Sequence, residues 1–176
     1  MGLFNRLASR AELPKAIAAA LELAMGEWVL AFGVDDNTGA HVVATTYTLA
    51  VVTSSVEPIL RRRWLSVDAG SWEPETGTLT VTWADGGRAG QWSFRDQRTL
   101  LPETLRERVQ ASVVLSTRLT LGDRRAGRVA IRQDFATHEL ISQTILGRHA
   151  RADDPEVQAH VQAALAFLRD QVGLPA

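Results

Sequence analysis

From Thr78 to Trp83 apolar and polar positions alternate strictly: Leu79, Val81 and Trp83 share one face and Thr78, Thr80 and Thr82 the other. A period of two carried by β-branched and aromatic residues predicts a half-buried strand. Pro74-Glu-Thr-Gly77 before it and Asp85-Gly-Gly87 after it supply turns, because glycine accepts a positive φ without steric cost. Gly90-Gln-Trp-Ser-Phe94 then returns with Trp92 and Phe94 on one face. Trp64 to Phe94 thus reads as an antiparallel meander with Trp83, Trp92 and Phe94 lining its inner surface.

The same period predicts a first strand over Trp28–Val34, with Trp28, Leu30, Phe32 and Val34 on one face, closed by the polar hairpin loop Asp35–Gly39. His41 to Thr53 is β-rich throughout and long for one strand, so a bend near Thr46–Thr48 is expected to divide it. Arg61-Arg-Arg63 leads into a further strand at Trp64–Val67, with a short one around Trp72. After the meander the period changes to that of a helix. Leu101, Leu105, Val109, Ser112, Val113 and Ser116 recur at helical spacing, Pro102 suits a first turn, and Glu103 and Glu107 complement the dipole. Arg118–Leu121, Arg128–Phe135 and Glu139–Leu146 are three further candidate strands. A last helix has Asp154 as cap, Pro155 at its first position, Gly173 after it, and an apolar stripe of Val157, Val161, Ala164, Leu165, Leu168 and Val172. Residues 1–26 read as helical or partly helical, with Pro14 in a first turn, Ile17, Ala20, Leu21 and Ala24 along it, and Leu3, Phe4 and Leu7 forming a small apolar knot ahead. The expectation is an α+β chain: an N-terminal helical segment over 1–26, a strand-rich unit over 27–117 ending in a capping helix, and a three-strand meander with a C-terminal helix over 118–176 packed on it.

About seven short strands followed by one amphipathic helix in residues 27–116 resemble a pleckstrin-homology-type barrel, in which two near-orthogonal sheets are closed by the C-terminal helix. Glu27-Trp-Val-Leu-Ala31, Thr46-Tyr-Thr-Leu49 leading into Ala50–Thr53, and Trp64–Val67 before Gly77–Val81 are similar to bacterial members of that group. Arg128–Gln133 and Asp153-Asp-Pro-Glu156 resemble the tail of uncharacterised actinobacterial proteins. The resemblance implies a barrel scaffold that binds a peptide or another protein. It does not carry over phosphoinositide binding, which needs a basic first hairpin where this chain has Asp35-Asp36-Asn37.

Composition narrows the classes. With 176 residues, 45% hydrophobic and 22% charged, the chain suits one globular domain or one with an extension. A net charge of −1 gives no global basic field, so nucleic acid is not an expected partner. Cysteine is absent, which removes disulfides, thiolate metal sites and cysteine nucleophiles. The N-terminal stretch lacks the continuous apolar core of a signal peptide, and Ala16–Ala24 is interrupted by Glu22 and too short to span a bilayer. A cytoplasmic protein without a transmembrane segment is expected.

The search for chemistry leaves few candidates. His41, His138, His149 and His160 form no ligand-spaced motif; Gly86-Gly87 joins two strands rather than opening a helix; no Gly-x-Ser-x-Gly elbow occurs. Asp35-Asp36 reads as a hairpin loop and Asp153-Asp154 as a helix cap. Arg124-Arg125 is a minor basic spot in a turn. Arg61, Arg62 and Arg63 are the candidate contact for an acidic partner or a phosphate, set against a charge-protected edge strand; in a strand Arg61 and Arg63 share one face and Arg62 takes the other. The five tryptophans lie in or beside predicted strands and are expected mostly in the core. These features point to a non-catalytic intracellular binding module, without cofactor, that contacts a protein partner or a second copy of itself. A peripheral adaptor to anionic membrane through Arg61–Arg63 and the N-terminal segment is one alternative. A small-ligand carrier or enzyme with a pocket between barrel and extension is the other.

Overall fold

A computed structural model describes residues 12–122 and 125–175. A short helix α1 (Lys15–Ala20) precedes four strands, β1 (Val29–Val34), β2 (His41–Thr45), β3 (Thr48–Val52) and β4 (Pro58–Arg63), which pair antiparallel in chain order. A 3-10 turn at Trp64–Ser66 leads to a second antiparallel sheet of β5 (Val67–Glu73), β6 (Thr78–Trp83) and β7 (Gly90–Ser93). Helix α2 (Leu101–Ser112) follows. A third sheet, ordered β10-β9-β8, is built from β8 (Val113–Arg118), β9 (Gly127–Gln133) and β10 (Leu140–Leu146), and helix α3 (Pro155–Gln171) lies on it. The chain is α+β with three separate antiparallel sheets; none of them closes on itself into a barrel.

Strands β2 and β3 of the first sheet are buried on both faces, which explains the unbroken β-branched run from His41 to Thr53. Val42, Ala44, Leu49 and Val51 face a core shared with Leu79, Val81, Trp83 and Phe94 of the meander and Leu101 and Leu105 of α2. Val43, Ala50 and Val52 face the other way, onto Ile17 and Leu21 at α1. Six residues are too few to hold a helix in water, so α1 exists by packing rather than by propensity. The expected helix over 14–24 is cut short: Pro14 is its cap, and Glu22 and Gly26 take positive φ beyond it. The proposed apolar knot at Leu3, Phe4 and Leu7 lies outside the described residues.

Five further expectations are corrected. The register of β1 on β2 shifts between Val29 and Ala31. After the bulge Ala31 and Gly33 take the central-core face while Phe32, and by alternation Val34, take the face toward α1. The bulge reverses the positions before it and so separates Trp28, ahead of the strand and 59% exposed, from Phe32 and Val34. A Cβ on Gly33 would stand 2.8 Å from the Phe94 ring, so the small residue is what lets that ring close over β1. Trp64–Ser66 is a 3-10 turn rather than a strand, and Trp72 belongs to one seven-residue strand that begins at Val67. Helix α2 stops at Ser112, because the β-branched pair Val113-Val114 enters β8 directly. The third sheet therefore starts at Val113, inside the segment expected to finish the capping helix, and 119–121 are not strand.

Helix α3 matches its sequence signals. The Asp154 carboxylate accepts the Glu156 amide at 2.9 Å, Pro155 fills the first position, and Gly173 follows in a left-handed conformation. Its stripe from Val157 to Val172 packs on Leu119, Leu121, Val129 and Ile131 of the same chain.

Candidate functional site

The three arginines sit on β4, the outer strand of the first sheet, and alternate as the strand period requires. Arg62 pairs in register with Leu49 on the core face, and Arg61 with Ala50 on the α1 face. Each guanidinium has a carboxylate in the same chain. Arg61 Nη2 donates to Glu27 Oε2 at 2.6 Å, and its Nη1 donates to the carbonyls of Leu21 and Glu22. Arg62 lies 4.5 Å from the Trp83 ring centroid and donates to Asp85 Oδ2 at 2.7 Å. Arg63 is paired with Asp134 of the β9–β10 turn. The structure thus does not bring the three together into one open basic site; it pairs each, still partly exposed, with a different carboxylate of the same chain.

Glu27 is the hub of the first of these pairs. It is 7% exposed, and its Oε1 accepts the hydroxyls of Thr45 at 2.5 Å and Thr48 at 2.9 Å, while Oε2 accepts the Ala24 amide at 3.0 Å in addition to Arg61. Burial pushes this carboxyl up, but the Thr45 hydroxyl, the Ala24 amide, the Thr48 hydroxyl and Arg61 outweigh it and hold Glu27 below its ordinary value. Asp134 behaves alike: burial raises it, and the Ala136 amide and Arg63 bring it below its ordinary value. Both carboxylates stay ionised because donors surround them, a structural arrangement rather than a poised acid.

Sequence reading missed Arg132. It is 2% exposed on β9 and, among the described residues, its hydrogen bonds go to neutral acceptors. Its Nη1 donates to Val67 O at 2.6 Å and Leu65 O at 3.2 Å, its Nη2 to Trp64 O at 2.9 Å, and its Nε to Ser112 Oγ at 3.0 Å. Gln143 Nε2 on β10 adds a bond to Leu65 O at 2.6 Å. The 3-10 turn presents its carbonyls, and the guanidinium fork collects them, so the third sheet is locked to the corner between the first two. Burial lowers Arg132 to about 10, with Arg128 acting in the same direction and Asp68 against it. The available signal was a lone arginine in the run Val129-Ala-Ile-Arg132, where both faces of the strand are buried.

The acidic first hairpin is equally occupied. Asp35 accepts Thr38 and the Ser93 amide at 2.8 Å, and Asp36 accepts the Arg95 amide at 2.7 Å, so the pair staples the β1–β2 loop to the end of β7. Asp154 is shared between its cap and Arg125, which also reaches Glu156 at 2.8 Å, while Asp153 pairs with Arg151. Arg124 lies outside the described residues. Among the described residues no three histidine or carboxylate side chains converge as metal ligands, and no helix is long and apolar enough to cross a membrane.

What remains open is a surface beside β5. Trp64 and Trp83 are buried and Trp92 half-buried, but Trp72 is exposed and forms one wall of a groove of about 290 Å³ with Pro102, Glu103, Arg106 and Glu107 of α2. Residues 69–73 are all exposed, and among the described residues no strand pairs with the outer edge of β5. Comparison with known proteins finds no matching family model, no matching curated protein and no matching solved structure.

Proposed function

We propose that the protein is a non-catalytic intracellular binding module, in which the first two sheets and α2 form a pleckstrin-homology-like scaffold and the third sheet with α3 braces it. The order of four strands, three strands and a helix supports this reading, as does the shared core between them. The partner is a protein segment in extended conformation, laid along the free edge of β5 between that strand and α2. A strand edge supplies main-chain hydrogen bonds, and a flanking groove selects side chains. The observation that carries the proposal is Trp72, an exposed aromatic on an unpaired edge, facing a groove walled by Glu103 and Glu107. An apolar side chain fits against Trp72, and a basic one fits the glutamates.

Selection from a random peptide library on the immobilised full chain tests this. Enriched peptides are expected to be basic and to lose about tenfold or more in affinity on Trp72→Ala, the scale of an aromatic anchor. A library that yields no binder, or binders indifferent to Trp72→Ala, rejects the reading.

A further inference from the structure

The remaining strand edges differ in how they resist pairing. β1 is bulged between Val29 and Ala31, β4 carries Pro58 and three arginines, and β7 has only four residues. β8 is shifted between Val113 and Leu115 and ends in Arg118; β5, the edge assigned above to an extended partner, is bulged only at its start, between Val67 and Ala69. Bulges, prolines, short length and charge are the devices by which sheets avoid edge-to-edge association. β10 has none of them. Leu140-Ile-Ser-Gln-Thr-Ile-Leu146 is seven residues long, holds no charge, proline or glycine, and pairs with β9 in unbroken register from Leu140 to Leu146. All seven residues are partly exposed, and among the described residues no strand lies on the outer edge.

The sequence of that edge is also its own mirror. Read about Gln143, Ser142 matches Thr144, Ile141 matches Ile145, and Leu140 matches Leu146. Two antiparallel copies centred on Gln143 therefore place like against like at every position. A two-fold, isologous contact sets residue i against j and j against i, so each of these matched pairs occurs twice across the edge.

We propose that β10 is a homodimerisation edge, at which a second copy of this chain pairs antiparallel about Gln143 and joins two three-stranded sheets into one of six strands. The faces agree with this. Leu140 and Leu146 pack toward the α3 side, and Gln143 reaches Leu65 on the opposite side, so residues 140, 142, 144 and 146 share the α3 face. In the paired register Leu140 of the second copy stands opposite Leu146. Leu146 lines a groove of about 400 Å³ with Thr144, Val157, Val161, Gln158 and Gln162. That groove is uncharged, as an incoming leucine from an identical chain requires, and the two α3 helices lie on the same face of the joined sheet.

The register makes the test specific, because residue 142 of one copy faces residue 144 of the other. Sedimentation velocity of the full chain at micromolar concentration is expected to show a dimer. Ser142→Lys with Thr144→Lys sets lysine opposite lysine twice and is expected to give a monomer with native circular dichroism. Ser142→Lys with Thr144→Glu makes the same number of changes on the same face but sets lysine opposite glutamate, and is expected to remain a dimer. A monomeric wild-type chain overturns the proposal, as does a dimer that persists in the lysine pair. Should the lysine pair fail to fold, a lysine–glutamate variant that folds but is monomeric overturns it equally.

Discussion

Arg132 on β9 and Ser112, the last residue of α2, meet at 3.0 Å between Nε and Oγ, in a site closed to water. Ser112 Oγ donates its own hydrogen bond to Val109 O at 2.6 Å, so the hydroxyl joins the end of the helix to the buried cation. The cation in turn holds three carbonyls of the corner at Trp64, Leu65 and Val67. Removing the guanidinium takes a buried donor from all three, although Leu65 O keeps Gln143 and Trp64 O keeps the Val67 amide, and an unsatisfied buried polar group costs about 1–3 kcal/mol. Arg132→Met is expected to lower unfolding free energy by roughly 1–3 kcal/mol, the scale of a buried polar group left without its partner. Lysine lacks the planar fork and should not restore it. Ser112→Ala should cost about 1 kcal/mol alone and less in the Arg132→Met background, since the two share one network. Urea unfolding of the four proteins decides this; additive losses would mean that the two side chains do not act together.

The acid limb of stability should trace Glu27 and Asp134. Their folded values lie below the ordinary 4.5 and 3.8, so the unfolded chain binds protons at these positions at higher pH than the folded chain does. Their contribution is complete above the unfolded values and is lost as pH falls through the folded ones. His41 adds a decline that begins at higher pH, because burial holds it below its ordinary 6.5 and its neutral form belongs to the fold. Glu27→Gln is expected to be less stable than wild type at neutral pH and to lose less on acidification below 4.5. Thermal melts across that range test it; an unchanged acid slope in Glu27→Gln would show that this carboxylate is not a stabilising ion.

The parts legible in the sequence were those that neighbouring residues determine. Leu79, Val81 and Trp83 announce β6 by alternation, and Asp154, Pro155 and Gly173 bracket α3 by local hydrogen-bonding rules. Trp28 was misplaced because a bulge is one extra residue, and one residue reverses every face before it. The arginine cluster was visible, but its meaning was not. Glu27, Asp85 and Asp134 stand 34, 23 and 71 positions from the arginines they neutralise, separations that only the folded chain brings together. Arg132 was hidden for the same reason: its acceptors are backbone carbonyls, which carry no residue type to notice.

Gly70 tests the contact between β5 and α2. A Cβ there would overlap Leu105 Cδ2, and Leu105 is buried in the central core. Gly70→Ala must displace that leucine, and overpacking a core costs roughly 1–3 kcal/mol. Adding Leu105→Val removes a methylene from the crowded side chain and is expected to recover part of the loss. Thermal unfolding of the single and double variants measures this, and a Gly70→Ala protein as stable as wild type would mean that α2 does not press on β5.

Anionic membrane is the partner that Arg61–Arg63 would suggest if they were open. Their occupation by Glu27, Asp85 and Asp134 leaves no excess positive charge at β4, and a juxtamembrane cation contributes about 1 kcal/mol only where it is unpaired and close to the surface. Co-sedimentation with anionic vesicles at low salt is therefore expected to show no more binding than with neutral vesicles. The variant Arg61→Glu, Arg62→Glu, Arg63→Glu places new carboxylates beside the existing ones, so its expected phenotype is a lowered melting temperature. Binding that appears at low salt, fades as salt screens it, and disappears in a folded charge-reversed variant would return these arginines from internal ion pairs to a contact surface.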